Sequence, residues 1–83
     1  MDVVREVKRV LDEVLSLGGQ AGHFTRDTHL LGSVPQLDSM AVVTLIATLE
    51  ERFGIVVDDE DIDGDTFATV GALADFVSDK IAA

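Results

Sequence analysis

From Val3 onward the chain sets Val3, Val7, Val10, Val14 and Leu17 at intervals of three and four, with Val4, Leu11 and Leu15 beside them. That period winds one apolar stripe down a helix, and Arg5, Lys8, Arg9, Asp12 and Glu13 fill its wet side. Gly18-Gly19 is expected to stop this helix, because glycine enters the left-handed cap conformation without a steric penalty. A polar stretch follows from Gln20 to Gln36, long for a connection, in which Phe24, Leu30, Leu31 and Val34 are expected to pin the loop across the bundle. After Pro35, Asp38 or Ser39 can cap a second helix that runs to about Phe53. Met40, Val43, Ile46, Leu49 and Phe53 recur along it at helical spacing, and Val42, Leu45 and Ala47 widen the apolar arc.

Gly54 ends that helix, Ile55-Val56-Val57 is too short to anchor a sheet, and the acidic run 58–65 around Ile62 reads as one short helical turn. Thr69 is expected to cap a last helix with Val70, Leu73, Ala74, Val77 and Ile81 inside and Asp75, Asp79 and Lys80 outside. The sum is an all-α four-helix bundle, three main helices plus a short third one, forming a single domain over residues 1–83. No internal repeat is present, and only the acidic run is low in complexity.

A chain of 83 residues buries about two-thirds of the surface its unfolded state exposes, so its core is small. Little room remains for a deep, water-excluding pocket, which argues against an enzyme. Cysteine is absent, so neither disulfides nor thiolate metal sites support the fold. The charged, amphipathic start, Met1-Asp2-Val3-Val4-Arg5-Glu6, argues against a signal peptide, and no apolar run approaches a membrane span, so a cytoplasmic monomer is expected. Sixteen acids against six Lys and Arg give a formal net charge of -10, which repels nucleic acid and anionic lipid and steers the domain toward basic patches on other proteins. His23 and His29 lie in the loop without cysteines or matching acids, and no chemistry is assigned to them.

By itself Ser39 reads as an ordinary helix cap. Leu37-Asp38-Ser39-Met40, followed by Leu45, Leu49-Glu50-Glu51 and Phe53-Gly54-Ile55, resembles the acyl carrier protein family, and the order of elements agrees over nearly the whole chain. The resemblance implies that a phosphopantetheinyl transferase uses Mg²⁺ to move 4'-phosphopantetheine from coenzyme A onto the Ser39 hydroxyl. The thiol of that arm then carries acyl groups as thioesters, and the chemistry belongs to the cofactor and to visiting enzymes. No catalytic or metal-binding residue is expected. The start of a helix suits a phosphodiester, since its N–H groups and dipole favour negative charge, and Asp38 is expected to orient the transferase's metal or basic groups.

Met40, Val43 and Ala47 form a row running away from Ser39, which Glu50 and Glu51 extend with charge, and a partner gripping that row meets the arm at its root. The competing reading puts Met40 and Val43 in the core, where Leu45, Ile46, Leu49 and Phe53 are assigned. The partners implied are an acyl-loading enzyme, either a ligase or an acyltransferase, and a ketosynthase or other acyl-processing enzyme with a basic docking patch. Carriers of fatty acid synthesis place acids just after the Ser-Leu pair and a turn later, whereas Ala41 and Thr44 stand here. That difference points to a specialised lipid, polyketide or exopolysaccharide-linked pathway. Peptidyl and aminoacyl carriers share the bundle and the serine, and remain the nearest alternative.

Asp59-Glu60-Asp61-Ile62-Asp63-Gly64-Asp65 reproduces the first half of an EF-hand calcium loop. The second half fails, because Val70 stands where a bidentate glutamate is required and Gly54 breaks the incoming helix. A solvated acidic face is the expectation, with loose divalent binding that relieves carboxylate repulsion as a second reading and a calcium-binding EF-hand-like module at Asp59-Asp65 as the alternative from a different class of function. Ser39 beside Asp38 lacks a supporting histidine, so nucleophilic catalysis is not expected.

Overall fold

The computed structural model describes residues 2–82, apart from the side chain of Asp59. Asp2 opens helix α1, Val3–Leu15, by accepting the Arg5 N–H at 3.2 Å. Val7, Val10, Leu11 and Leu15 are its buried stripe, with Val3, Val4 and Val14 packed at the margin. The helix ends earlier than its glycines suggest: Ser16 takes the left-handed cap at φ 54°. The cause is Asp12, whose carboxylate reaches past the helix end to accept the N–H groups of Gly19 at 2.9 Å and Ala21 at 3.2 Å. Leu17 is therefore buried from the turn and not from the helix.

The long connection is more ordered than its polarity implies. A 3-10 turn, Gln20–His23, follows the glycines, and the Lys8 ammonium donates to the carbonyls of Gly22 and Phe24. Leu30 is fully buried and Phe24 and Val34 pack against the core, but Leu31 is 50% exposed. Leu31 opens a turn in which the Ser33 and Val34 N–H groups donate to Leu30 O, and its side chain is left outside the core. This segment pairs with the approach to the last helix: Leu30 N–H donates to Ala68 O at 2.9 Å, Leu31 N–H to Phe67 O at 3.1 Å, and Val70 N–H to Thr28 O at 3.0 Å. His29 and Thr69 form an isolated antiparallel bridge within that clamp.

Helix α2, Ser39–Phe53, and helix α3, Val70–Ala82, both pack on α1 and touch one another less. Their inward residues Leu45, Leu49, Leu73 and Val77 meet Val7, Val10, Leu11 and Leu30 in one core. Ile46 and Phe53 lie at its edge. The short third helix is the three-residue 3-10 turn Asp59–Asp61, and Thr69 caps α3 as expected, its hydroxyl accepting the Ala72 N–H at 3.0 Å. Ile81 departs from the expected inner stripe and is 40% exposed, because the last turn of α3 runs beyond the core. No helix among the described residues is long and apolar enough to cross a membrane.

Gly71, in the first turn of α3, lets the two backbones of the clamp come close together. Its N–H donates to Arg26 O at 2.9 Å, and a Cβ on it would meet that same oxygen at 3.0 Å. Arg26 is held besides by two 2.9 Å hydrogen bonds to the Asp75 carboxylate. Gly71→Val is therefore expected to cost about 2 kcal/mol through overpacking. The check is a thermal melt, in which each kcal/mol lowers Tm by roughly 4–8 °C for a domain of this size.

Candidate functional site

The candidate site is two side chains on either side of one peptide bond, Asp38 and Ser39. Leu37 is buried and fixes the entry of the chain, and Asp38 follows in extended conformation with φ -107° and ψ -176°. The Asp38 carboxylate Oδ1 accepts the Ala41 N–H at 2.8 Å, and its carbonyl accepts the Val42 N–H at 2.9 Å. Asp38, not Ser39, is thus the cap, and its negative charge sits at the positive end of the helix dipole.

Relieved of capping, Ser39 becomes the first residue of α2, exposed, and its hydroxyl has no hydrogen-bond partner among the described residues. The N–H groups of Ser39 and Met40 stand at a helix start, where no intrahelical acceptor exists for them. A phosphate esterified to Ser39 Oγ would sit beside these donors, so the residues present fit a phosphodiester-linked arm. Asp38 Oδ2 makes no hydrogen bond among the described residues.

Met40 is 76% and Val43 64% exposed, and Ala47 is exposed too, so these residues do not belong to the core. At about 100° per residue the three fall in one sector of about 60°, opposite the buried Leu45 and Leu49. Glu51 continues the row and is exposed. Glu50 turns elsewhere: its Oε2 accepts the Val57 N–H at 2.9 Å and holds the chain that leaves α2. Thr44 and Thr48 donate their hydroxyls to the carbonyls of Met40 and Thr44, so this side of the helix is polar without being charged.

The acidic run does not converge on a point. Asp61 Oδ2 receives the Lys80 ammonium at 2.6 Å and the Asp58 N–H at 3.1 Å, while Asp63 Oδ1 caps its own turn by accepting from the N–H groups of Asp65 and Thr66. The hydrogen bond from Lys80 holds the Asp61 carboxyl below its ordinary pKa. No group of three His, Asp or Glu among the described residues is placed to hold a metal ion. The expected role of Asp59 in such a site concerns a side chain outside the described part. A groove of about 640 Å³ lies on α1 and the following turn, lined by Lys8, Arg9, Asp12 and Gly22 among others, away from Ser39.

A family model described as "Phosphopantetheine attachment site" matches residues 3–77. The acyl carrier protein of Cyanidium caldarium is 31% identical over 84 aligned positions, covering 96% of this chain and 87% of that protein. The chain belongs to the acyl carrier protein family. The solution NMR structure of a holo acyl carrier protein from Nitrosomonas europaea shares 44% of its sequence and matches with a TM-score of 0.93 over 100% of both chains. The expected all-helical fold, carrier role and phosphopantetheine group are all supported by this agreement. As an acyl carrier protein the chain is a carrier and not a catalyst, and its prosthetic group is phosphopantetheine. Membership also makes a phosphopantetheinyl transferase and acyl-processing enzymes its partners.

Sequence reasoning missed the clamp between residues 26–31 and 67–71 that holds the loop leading to Ser39. Its only trace in the sequence is a glycine where a helix former would serve a first turn better, at Gly71. The cap assignment yields a test: Asp38→Ala is expected to cost about 1 kcal/mol in urea denaturation, whereas Asp38→Ser retains most of it. Hydrogen exchange should quicken at Ala41 and Val42 in the alanine variant and stay slow in the serine variant.

Proposed function

We propose that Ser39 is the attachment point of the 4'-phosphopantetheine arm, through which this carrier presents acyl thioesters to partner enzymes. The observation that carries this reading is an exposed serine hydroxyl at the first position of a helix whose cap is supplied by the residue before it. In the transferase complex Ser39 Oγ attacks the pantetheine-side phosphorus of coenzyme A, the pyrophosphate link breaks, 3',5'-ADP leaves and the hydroxyl proton passes to the transferase or solvent. The Ser39 and Met40 amides stabilise the resulting charge, and Asp38 keeps the helix start in place with Oδ1 while Oδ2 orients the transferase's metal or basic groups. The arm supplies the thiol that forms and yields the thioester.

Met40, Val43 and Ala47 form the apolar part of the proposed docking row, and Glu51 its charged end. Glu50 contributes from within by fixing the chain after α2. The partners proposed are a loading ligase or acyltransferase and a ketosynthase or other acyl-processing enzyme with a basic patch. Ala41 and Thr44 leave the upper half of this row uncharged, which weakens its pull on the strongly basic docking patches of general fatty acid synthesis and favours a specialised pathway.

Intact-mass spectrometry after incubation with coenzyme A and a broad-specificity transferase tests the assignment. One phosphopantetheine mass is expected on the wild type and none on Ser39→Ala. A gain on Ser39→Ala, or none on the wild type, overturns it.

A further inference from the structure

Cations are scarce in this chain, six Lys and Arg against sixteen acids, and three of the six stand at positions 5, 8 and 9 of α1. Their spacing sets Arg5, Lys8 and Arg9 in one arc of about 100° on the helix. All three line the groove of about 640 Å³ on α1 and the turn that follows it. That volume falls within the roughly 300–1,000 Å³ of small-molecule sites.

Three acids line the groove as well among the described residues, and each is engaged from within the chain. Asp2 accepts the Arg5 N–H at 3.2 Å, both Asp12 oxygens accept the Gly19 N–H, at 3.1 and 2.9 Å, and Glu13 receives Arg52 at 2.7 Å. The cations keep donors to spare. The Arg5 guanidinium is exposed and has no hydrogen bond or ion pair among the described residues. Arg9, its side chain 57% exposed, makes a single contact, at 3.3 Å to Glu6. Lys8 donates to the carbonyls of Gly22 at 3.3 Å and Phe24 at 3.1 Å, which fixes its ammonium beside the turn with one proton left over.

A groove whose acceptors are occupied and whose donors are free recognises an anion. We infer that it binds a small phosphoryl-bearing molecule, held by the Arg5 and Arg9 guanidiniums together with the Lys8 ammonium. Each guanidinium offers a planar fork that matches phosphoryl oxygens, and the ammonium adds a compact charge. A single carboxylate has fewer oxygens and less charge with which to satisfy three cations.

The formal net charge of -10 decides the size of the ligand. Nucleic acid, an anionic membrane or a second copy of this chain would set many like charges against the acidic surface. A small anion meets only what lies within about 8 Å, the screening length at physiological salt. The groove is built from α1 and its turn alone, so the site stands or falls independently of the attachment at Ser39.

Inorganic pyrophosphate is the probe, titrated without divalent metal into the ¹⁵N-labelled full chain at constant ionic strength, with sodium chloride as the reference. Saturable amide shifts are expected at residues 5, 8, 9 and 19–22, half complete on the order of 1–10 mM. Arg5→Gln and Arg9→Gln are each expected to weaken binding roughly fivefold, as loss of a hydrogen bond to a charged group implies, and the double variant to abolish it. Lys8 is left unchanged because it holds the turn. Pyrophosphate should raise Tm in the wild type and not in the double variant. Should the double variant melt lower than the wild type without ligand, the two single variants carry the comparison. Shifts that chloride reproduces, shifts that survive in the variants, or saturable shifts centred on the start of α2 overturn the inference. Citrate, of similar charge, tests the ligand class: binding as tight as that of pyrophosphate contradicts recognition of a phosphoryl group.

Discussion

The hydrogen bond from the Ala41 amide to the Asp38 carboxylate, 2.8 Å long, determines where α2 begins, and the rest of the site follows from that register. Were Ser39 the cap, its hydroxyl would be turned onto the backbone and consumed. With Asp38 in that role, Ser39 enters the first turn with a free, exposed hydroxyl, and the unpartnered amides of the helix start lie alongside. The same register places Met40, Val43, Ala47 and Glu51 on the outward side and Leu45 and Leu49 on the inward one. The proposed attachment point and the proposed docking row are thus two consequences of one local choice, which a shift of one residue would separate.

That register has to be held against a small core, and the fold does so by tying its connections. Asp12 gathers the turn after α1, Glu50 the chain after α2, and Asp63 the turn before α3, each with one carboxylate on backbone N–H groups. The loop before Ser39 is clamped onto the start of α3, with Gly71 allowing the two backbones to meet. Five of the six cations are absorbed in similar fashion, Arg9, Arg26, Arg52 and Lys80 in ion pairs and Lys8 on carbonyl oxygens, while Arg5 is exposed. Exposed pairs of this kind add little stability each. Their larger consequence is that most basic charge is paired within the chain while Glu51, Asp58 and Glu60 stay exposed and outside ion pairs, so acidic charge dominates the surface offered to basic partners.

Most of this architecture was legible in the chain because it rests on helical periodicity and side-chain caps, both of which are local. The stripe of α1, the cap at Thr69 and the weak acidic turn could be read from spacing alone, whereas spacing left the cap of α2 open between Asp38 and Ser39, and the structure gives it to Asp38. Whether Met40 and Val43 face the core could not, since an arc of apolar residues that wide is compatible with either side and only the position of α1 and α3 decides it. The end of α1 was misread for a related reason: Gly18-Gly19 is a strong local signal, but the Asp12 carboxylate acts at a separation of seven residues and moves the cap to Ser16. The clamp between the loop and α3 depends on contacts far apart in sequence and left only the odd glycine as a hint.

The most direct measurement of the central claim is a residue-by-residue comparison of backbone amide chemical shifts before and after enzymatic attachment of the arm. The largest changes are predicted at Ser39 and Met40, falling away along the first turn of α2, with Leu45, Leu49 and the rest of the core unmoved. Changes centred on another segment, or spread through the whole bundle, would contradict the placement of the phosphate at the start of that helix.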